Sequence, residues 1–255
     1  MNISGLRAAF AFLTVLPVPA PRDWSPGATV PWYPVVGVAI GGILCGLAFA
    51  LWEVWPPLVC AAMLCAAWAG LSGFLHLDGL ADTADAALAP LPRARRIEIL
   101  RDIHHGTFGV AAITITLLLR VAVLAEPARA DTAALLLTAP VSGRACIVAL
   151  MRLCPASHPG LGSAARAGAS WRAICAATVC CIAVALVAFG WPGLAIVGAA
   201  MLAAGVAATM LTGRLGGLGG DSYGALIEIA ELATLLAGSA MLVHDATPFP
   251  WRGAI

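Results

Sequence analysis

The chain has 255 residues, of which 61% are hydrophobic and 11% charged, against about 25% charged in an ordinary soluble protein. Its 14 basic residues are all Arg, 13 residues are acidic, and the net charge is +1. That balance excludes a disordered chain and a nucleic-acid binder, and it leaves too little polar surface to cover a soluble core.

The first apolar stretch, residues 3–16, is too short to cross a bilayer comfortably and reads as an interfacial or re-entrant helix. Pro17 and Pro19 follow it rather than a small-residue cleavage site, so it is not read as a signal peptide. Between Asp23 and Glu53 lie 29 residues without Asp, Glu, Lys or Arg, and 22 more separate Glu53 from His76. Another 41 separate Arg172 from Arg214. A transmembrane helix needs about 20 such residues. Spans are therefore expected at 30–52, 57–76, 107–125, 132–151, 173–190, 193–212 and 224–243. Pro56-Pro57, Pro90 to Pro92, Glu126-Pro127 and Trp191-Pro192-Gly193 punctuate them. The expected fold is all-α, a polytopic integral membrane bundle of about seven transmembrane helices plus the short N-terminal helix. It forms one domain over residues 1–255.

Gly37, Gly41, Gly42 and Gly46 are expected to let helices pack closely, and such a face also suits self-association. The eight Cys contain no C-x-x-C pair and lie mostly in apolar runs, so neither disulfides nor zinc are expected. Arg22, Arg93, Arg95, Arg96, Arg101, Arg152, Arg166, Arg172 and Arg214 fall in loops that alternating spans place on one side. The positive-inside rule makes that side cytoplasmic and puts the C-terminus outside.

Charged residues at membrane depth are costly and mark bundle interiors or wet cavities. Asp78, Asp82 and Asp85 follow an apolar span at i, i+4 and i+7, on one helical face. Three such carboxylates repel unless a cation sits among them, and Mg²⁺ is commonly held by a few carboxylates plus substrate phosphates. The helix dipole alone would favour Asp78 but would not explain Asp85.

A second acidic set, Asp221, Glu228 and Glu231, follows the glycine-rich turn Gly216 to Gly220, a backbone able to meet an anion or simply to turn. Between the sets stand Arg101, Asp102, His104 and His105, the imidazoles either solvated or turned to a phosphate. Arg144, well inside a span, needs a phosphate or a carboxylate from another helix. The sum suits metal-assisted phosphoryl transfer.

The ordered motifs resemble the cobalamin-5′-phosphate synthase (adenosylcobinamide-GDP ribazoletransferase) family. They are Phe12-Leu13-Thr14 with Leu16 to Pro19, Gly73 to Asp85, Arg96 to Asp102, Gly106 to Gly109, Leu215 to Gly217, and Gly220-Asp221 with Gly224, Glu228 and Glu231. The run His76-x-Asp78-Gly79-x-Ala81-Asp82-x-x-Asp85 is the most specific. The resemblance implies an enzyme of the bacterial cytoplasmic (inner) membrane, with its active site on the cytoplasmic side. It implies attack by a hydroxyl of α-ribazole, or of its 5′-phosphate, on adenosylcobinamide-GDP, with loss of GMP and with Mg²⁺ required. On the matching positions it assigns Asp78, Asp82, Asp85, Asp221 and Glu228 to metal, and Asp82, Asp85 and Asp102 to catalysis. Substrate contacts fall to His76, Arg101, His104, Arg144, Arg214 and Gly220.

The chain departs from the family pattern at Val15, Ile103, His104 and Gly219, with His104 expected to replace one phosphate-binding Arg. Expected partners are the two substrates, the lipid bilayer, and other enzymes of cobalamin biosynthesis. Two other readings fit less of the pattern. A CDP-alcohol phosphotransferase would need the Arg of an Asp-Gly-x-x-Ala-Arg pattern, which is missing here. A cation-coupled transporter would place its binding groups near the midplane at interrupted helices.

Overall fold

The computed structural model describes residues 2–100, 104, 106–126, 129–157 and 160–243. Helix α1 (Ile3–Leu13) starts at Asn2, whose Oδ1 accepts from the Gly5 amide at 2.8 Å. α2 (Pro26–Thr29) continues through a 3-10 turn into α3 (Tyr33–Trp52). Then follow α4 (Pro57–Leu71), α5 (Leu75–Leu88), α6 (Arg93–Ile99), α7 (Thr107–Ala125) and α8 (Arg129–Leu153). The chain closes with α9 (Leu161–Ala165), α10 (Trp171–Phe189), α11 (Pro192–Leu215) and α12 (Gly220–Val243). Pro57 and Pro192 open α4 and α11 at first-turn positions that need no amide hydrogen. Among the described residues the one departure from helix and loop is an isolated parallel bridge, Ala156 to Leu218.

Six helices are long and apolar enough to cross a membrane: Pro26–Trp52, Thr107–Ala125, Ala130–Leu153, Trp171–Phe189, Pro192–Leu215 and Gly220–Leu242. α1, at 11 residues, is too short. The seventh expected span, 57–76, is a broken one. α4 stops at Leu71, and α5 leaves it at an angle of 88°.

The cause is a Schellman closure of α4. The Phe74 amide donates to the Ala69 carbonyl at 2.8 Å and the Gly73 amide to the Gly70 carbonyl at 2.9 Å. Gly73 and Phe74 both take left-handed backbone, at φ 58° and 59°, and the non-glycine residue pays strain for the corner. The sharp turn swings His76 to Asp85 out of the line of the preceding span.

α8 is the axis of the bundle: 89% of its apolar window is buried, against 28% for α7. Pro140 interrupts its hydrogen-bond ladder. Gly37 and Gly41 of α3 sit against it there. A Cβ on Gly37 would lie 2.7 Å from the Pro140 carbonyl oxygen, and one on Gly41 would lie 2.9 Å from that of Leu136. Gly42 and Gly46, read as part of the same packing face, meet nothing within 4 Å. That face is therefore half spent inside the chain.

Gly37→Leu should lower the thermal midpoint of the detergent-solubilised protein by the equivalent of about 1–3 kcal/mol of overpacking. Gly42→Leu, which projects into open space, should leave it unchanged by the same fluorescence-detected melt.

Candidate active site

α5 and α12 cross through small residues. A Cβ on Gly79 would fall 2.7 Å from the Asp221 carbonyl oxygen, and one on Gly224 would fall 3.3 Å from the His76 Cα. A larger residue at Gly79 would force the helices apart and one at Gly224 would be tight, and the two acidic motifs meet at this crossing. The crossing forms one side of a cavity of about 320 Å³. His76 and Asp78 line it from α5, and Gly220, Asp221, Tyr223 and Gly224 from α12. Phe12, Tyr33, Ile147 and Met151 line it from α1, α3 and α8, and Gly160 with the first turn of α9 completes it.

Two backbone devices hold that rim. The Leu218 amide donates to the Pro155 carbonyl at 2.8 Å, and the Ser157 amide to Leu218 at 3.1 Å, tying the glycine turn to the end of α8. α11 ends on left-handed Gly216, φ 83°, over which the Arg93 guanidinium lies as its Nε donates to the Leu215 carbonyl at 3.1 Å. A side chain at Gly216 would collide with that Arg. α12 then begins at Gly220, presenting the positive end of a 24-residue helix to the cavity.

His76 is 3% exposed, and its Nε2 finds no hydrogen-bond partner among the described residues. It also lies close enough to Arg120 and Arg144 to feel both charges. These two arginines, entirely buried, face Glu228 and Glu231 of α12. Arg120 Nη2 lies 2.8 Å from Glu228 and 2.6 Å from Glu231, while Arg144 Nη1 donates to Glu231 at 2.7 Å and to the Pro140 carbonyl at 3.1 Å. The Arg120 guanidinium also sits 4.5 Å from the centre of the Trp68 ring, a cation–π contact. Two positive and two negative charges thus cancel inside the bundle and join α4, α7, α8 and α12.

Asp85 has a separate task. The Gly106 and Gly109 amides donate to its carboxylate at 2.6 and 2.9 Å, so it caps the N-terminus of α7. A side chain on either glycine would strike that carboxylate. Asp85 is buried and does not line the cavity.

The read-out by residue is then uneven. The cavity collects His76, Asp78, Gly220 and Asp221, with half-buried Asp82 one turn along α5 from Asp78. Glu228 and Arg144 are spent on the buried cluster, so Arg144 meets the carboxylate rather than the phosphate of its two expected partners. Arg214 Nη1 donates to the Ala87 carbonyl at 2.7 Å, at the end of α5. His104 is exposed, and Arg101 and Asp102 lie outside the described residues. Among the described residues, no three His, Cys, Asp or Glu side chains assemble a ready ion site.

Sequence reasoning passed over Arg120 and residues 160–163 at the start of α9. An Arg well inside span 107–125, with two glutamates stranded in span 224–243, was a usable sign. Nothing local marked residues 160–163 beyond their Gly-x-Gly-Ser pattern.

Fold and site together define a polytopic membrane protein with a cavity where two helix-borne acidic motifs meet. Residues 5–239 match the family described as cobalamin-5-phosphate synthase, and the chain belongs to that family. A relative from Alkalilimnicola ehrlichii, named adenosylcobinamide-GDP ribazoletransferase, is 44% identical over 271 residues, covering 96% of this chain and 98% of its own. Relatives of the same name from Pseudomonas paraeruginosa and a Roseiflexus species are 40% and 37% identical. The first covers 92% of this chain and 97% of its own, the second 91% and 89%. No solved structure matches the chain.

Glu231→Gln strands two buried arginines on one carboxylate and should destabilise the protein by about 3–5 kcal/mol. Adding Arg144→Met should recover part of that loss in the same detergent melt.

Proposed function

We propose that the chain transfers the adenosylcobinamide-phosphate group of adenosylcobinamide-GDP to a hydroxyl of α-ribazole or its 5′-phosphate. The reaction releases GMP in the last nucleotide-loop assembly step of cobalamin synthesis. One observation carries the reading: the family's most specific motif, around His76 and Asp78, and its glycine-aspartate turn meet on a single cavity. The family match favours neither a CDP-alcohol phosphotransferase nor a transporter.

In this reading the acceptor hydroxyl attacks the cobinamide-linked phosphorus, the bond to the GMP oxygen breaks, and GMP departs as the anion. The hydroxyl proton passes to a cavity carboxylate, Asp78 or Asp221. The start of α12 at Gly220 faces the diphosphate with backbone amides and a positive helix end. Asp85 and Glu228 act at a distance, by holding α7 and α12 in place.

The donor set fits Mg²⁺ in part. Asp78 and Asp221 share the cavity and Asp82 follows on the same helix, and such an ion commonly takes one or two carboxylates plus substrate phosphates. Those three would hold it, and once bound it would offset charge on the diphosphate. The arginine distribution supports a site on the cytoplasmic face of the membrane, and the family reading supports the bacterial inner membrane as that membrane.

The test is GMP release from adenosylcobinamide-GDP and α-ribazole by purified protein in liposomes, with and without Mg²⁺. Wild type should turn over only with the metal, and Asp78→Asn or Asp221→Asn should lose about 100-fold or more in kcat while still folded. Asp85→Asn should instead lower the thermal midpoint. Metal-independent turnover, or full activity in both cavity variants, would contradict the assignment.

A further inference from the structure

The cavity has two unlike walls. The polar groups come from α5 and α12, with His76, Asp78, Asp221, Tyr223 and the backbone around Gly220, beside apolar Leu75 and Ile227. On α1, α3 and α8 it is aromatic and aliphatic, with Phe12, Tyr33, Ile147 and Met151. Tyr33 is 2% exposed and its hydroxyl already accepts from Thr29 Oγ1 at 3.3 Å, so its ring is a fixed surface. The volume, about 320 Å³, is at the small end for ligand sites. It suits a nucleoside and is far too small to enclose a corrin macrocycle.

The two nucleosides of the reaction differ in what they ask of such a wall. Guanine carries donors and acceptors along its edge, and burying them against Phe12, Ile147 and Met151 would leave them unpaired. The base of ribazole is a dimethylbenzimidazole. Its edge carries two methyl groups, and with one ring nitrogen bonded to the sugar it keeps a single polar atom. The buried Nε2 of His76 is an unpartnered polar atom on the same cavity, and the Tyr223 hydroxyl is a second.

We propose that this cavity is the acceptor subsite, in which Phe12, Tyr33, Ile147 and Met151 select an apolar base and His76 hydrogen-bonds the nucleoside. The inference rests on the ribazoletransferase reading and adds which substrate occupies the cavity and which residues set base preference. The acceptor's sugar then points toward Asp78 and Asp221, where a hydroxyl proton can be taken. The donor's diphosphate meets the start of α12 from the cavity mouth, and its corrin stays outside.

The experiment compares kcat/KM for α-ribazole and for the riboside of unsubstituted benzimidazole, in liposomes, for wild type and variants. Met151→Phe fills room that the two methyl groups use and should shift the ratio toward the unsubstituted base by about tenfold or more. Ile147→Val, a change the fold tolerates easily, opens the same wall and should move the ratio about threefold the other way. His76→Ala should raise the KM of both ribosides alike, because it reads an atom they share. In all three the KM for adenosylcobinamide-GDP should stay within about twofold. Parallel loss with both acceptors in both wall variants, or a raised donor KM with acceptor preference intact, would overturn the proposal. A wild type that releases no GMP from either acceptor would instead overturn the functional reading beneath it.

Discussion

Two arginines and two glutamates, sealed from water in the middle of an apolar bundle, set the terms for everything around them. An isolated charge at that depth is costly, so Arg120, Arg144, Glu228 and Glu231 must meet, and they meet in one arrangement. Satisfying it fixes the rotation and depth of α12 against α7 and α8. The start of α12 lies two turns above Glu228, so the same contact decides where Gly220 and Asp221 stand. A hydrophobic contact could slide by a residue; this one cannot do so without burying an unpaired ion. The close approach of α5 at Gly79 then follows as a steric fit to a helix already placed.

That order sorts the acidic residues into three tasks. Glu228 and Glu231 neutralise the interior, Asp85 caps α7, and Asp78 and Asp221 face the cavity. Arginines divide in the same way: Arg120 and Arg144 serve the core, while Arg93 and Arg214 bond carbonyls at the ends of α11 and α5. The site is thereby surrounded by charges that hold its frame and contains few that face the substrate directly. In the proposed reading, two carboxylates and a helix N-terminus would form half of a metal–diphosphate site, and the substrate's diphosphate would supply the rest.

Much of this was legible before any coordinates. Long uncharged runs gave the spans, because lipid admits little else, and the Gly37–Gly41 contact was expected from small residues at helical spacing. The broken span was not, since Gly70, Ser72 and Gly73 differ little from the glycines that merely pack helices elsewhere. Spacing of i, i+7 aligns residues around a helix and separates them by about 10 Å along it, so Asp85 reaches α7 and Glu228 the core while Asp78 and Asp221 face the cavity. Residues 160–163 were invisible because their role depends on where α12 begins, a contact across some sixty residues of chain.

The claim most open to direct test is that the cavity carboxylates form an ion site only together with the substrate's diphosphate. Mn²⁺ can stand in for Mg²⁺, and its binding to detergent-solubilised protein can be followed by electron paramagnetic resonance with and without adenosylcobinamide-GDP. The account predicts weak binding by the protein alone, strong binding once the diphosphate is present, and loss of the enhancement in Asp78→Asn and Asp221→Asn. Tight binding without substrate that survives both substitutions would contradict it, and would move the metal to carboxylates that this structure gives to other tasks.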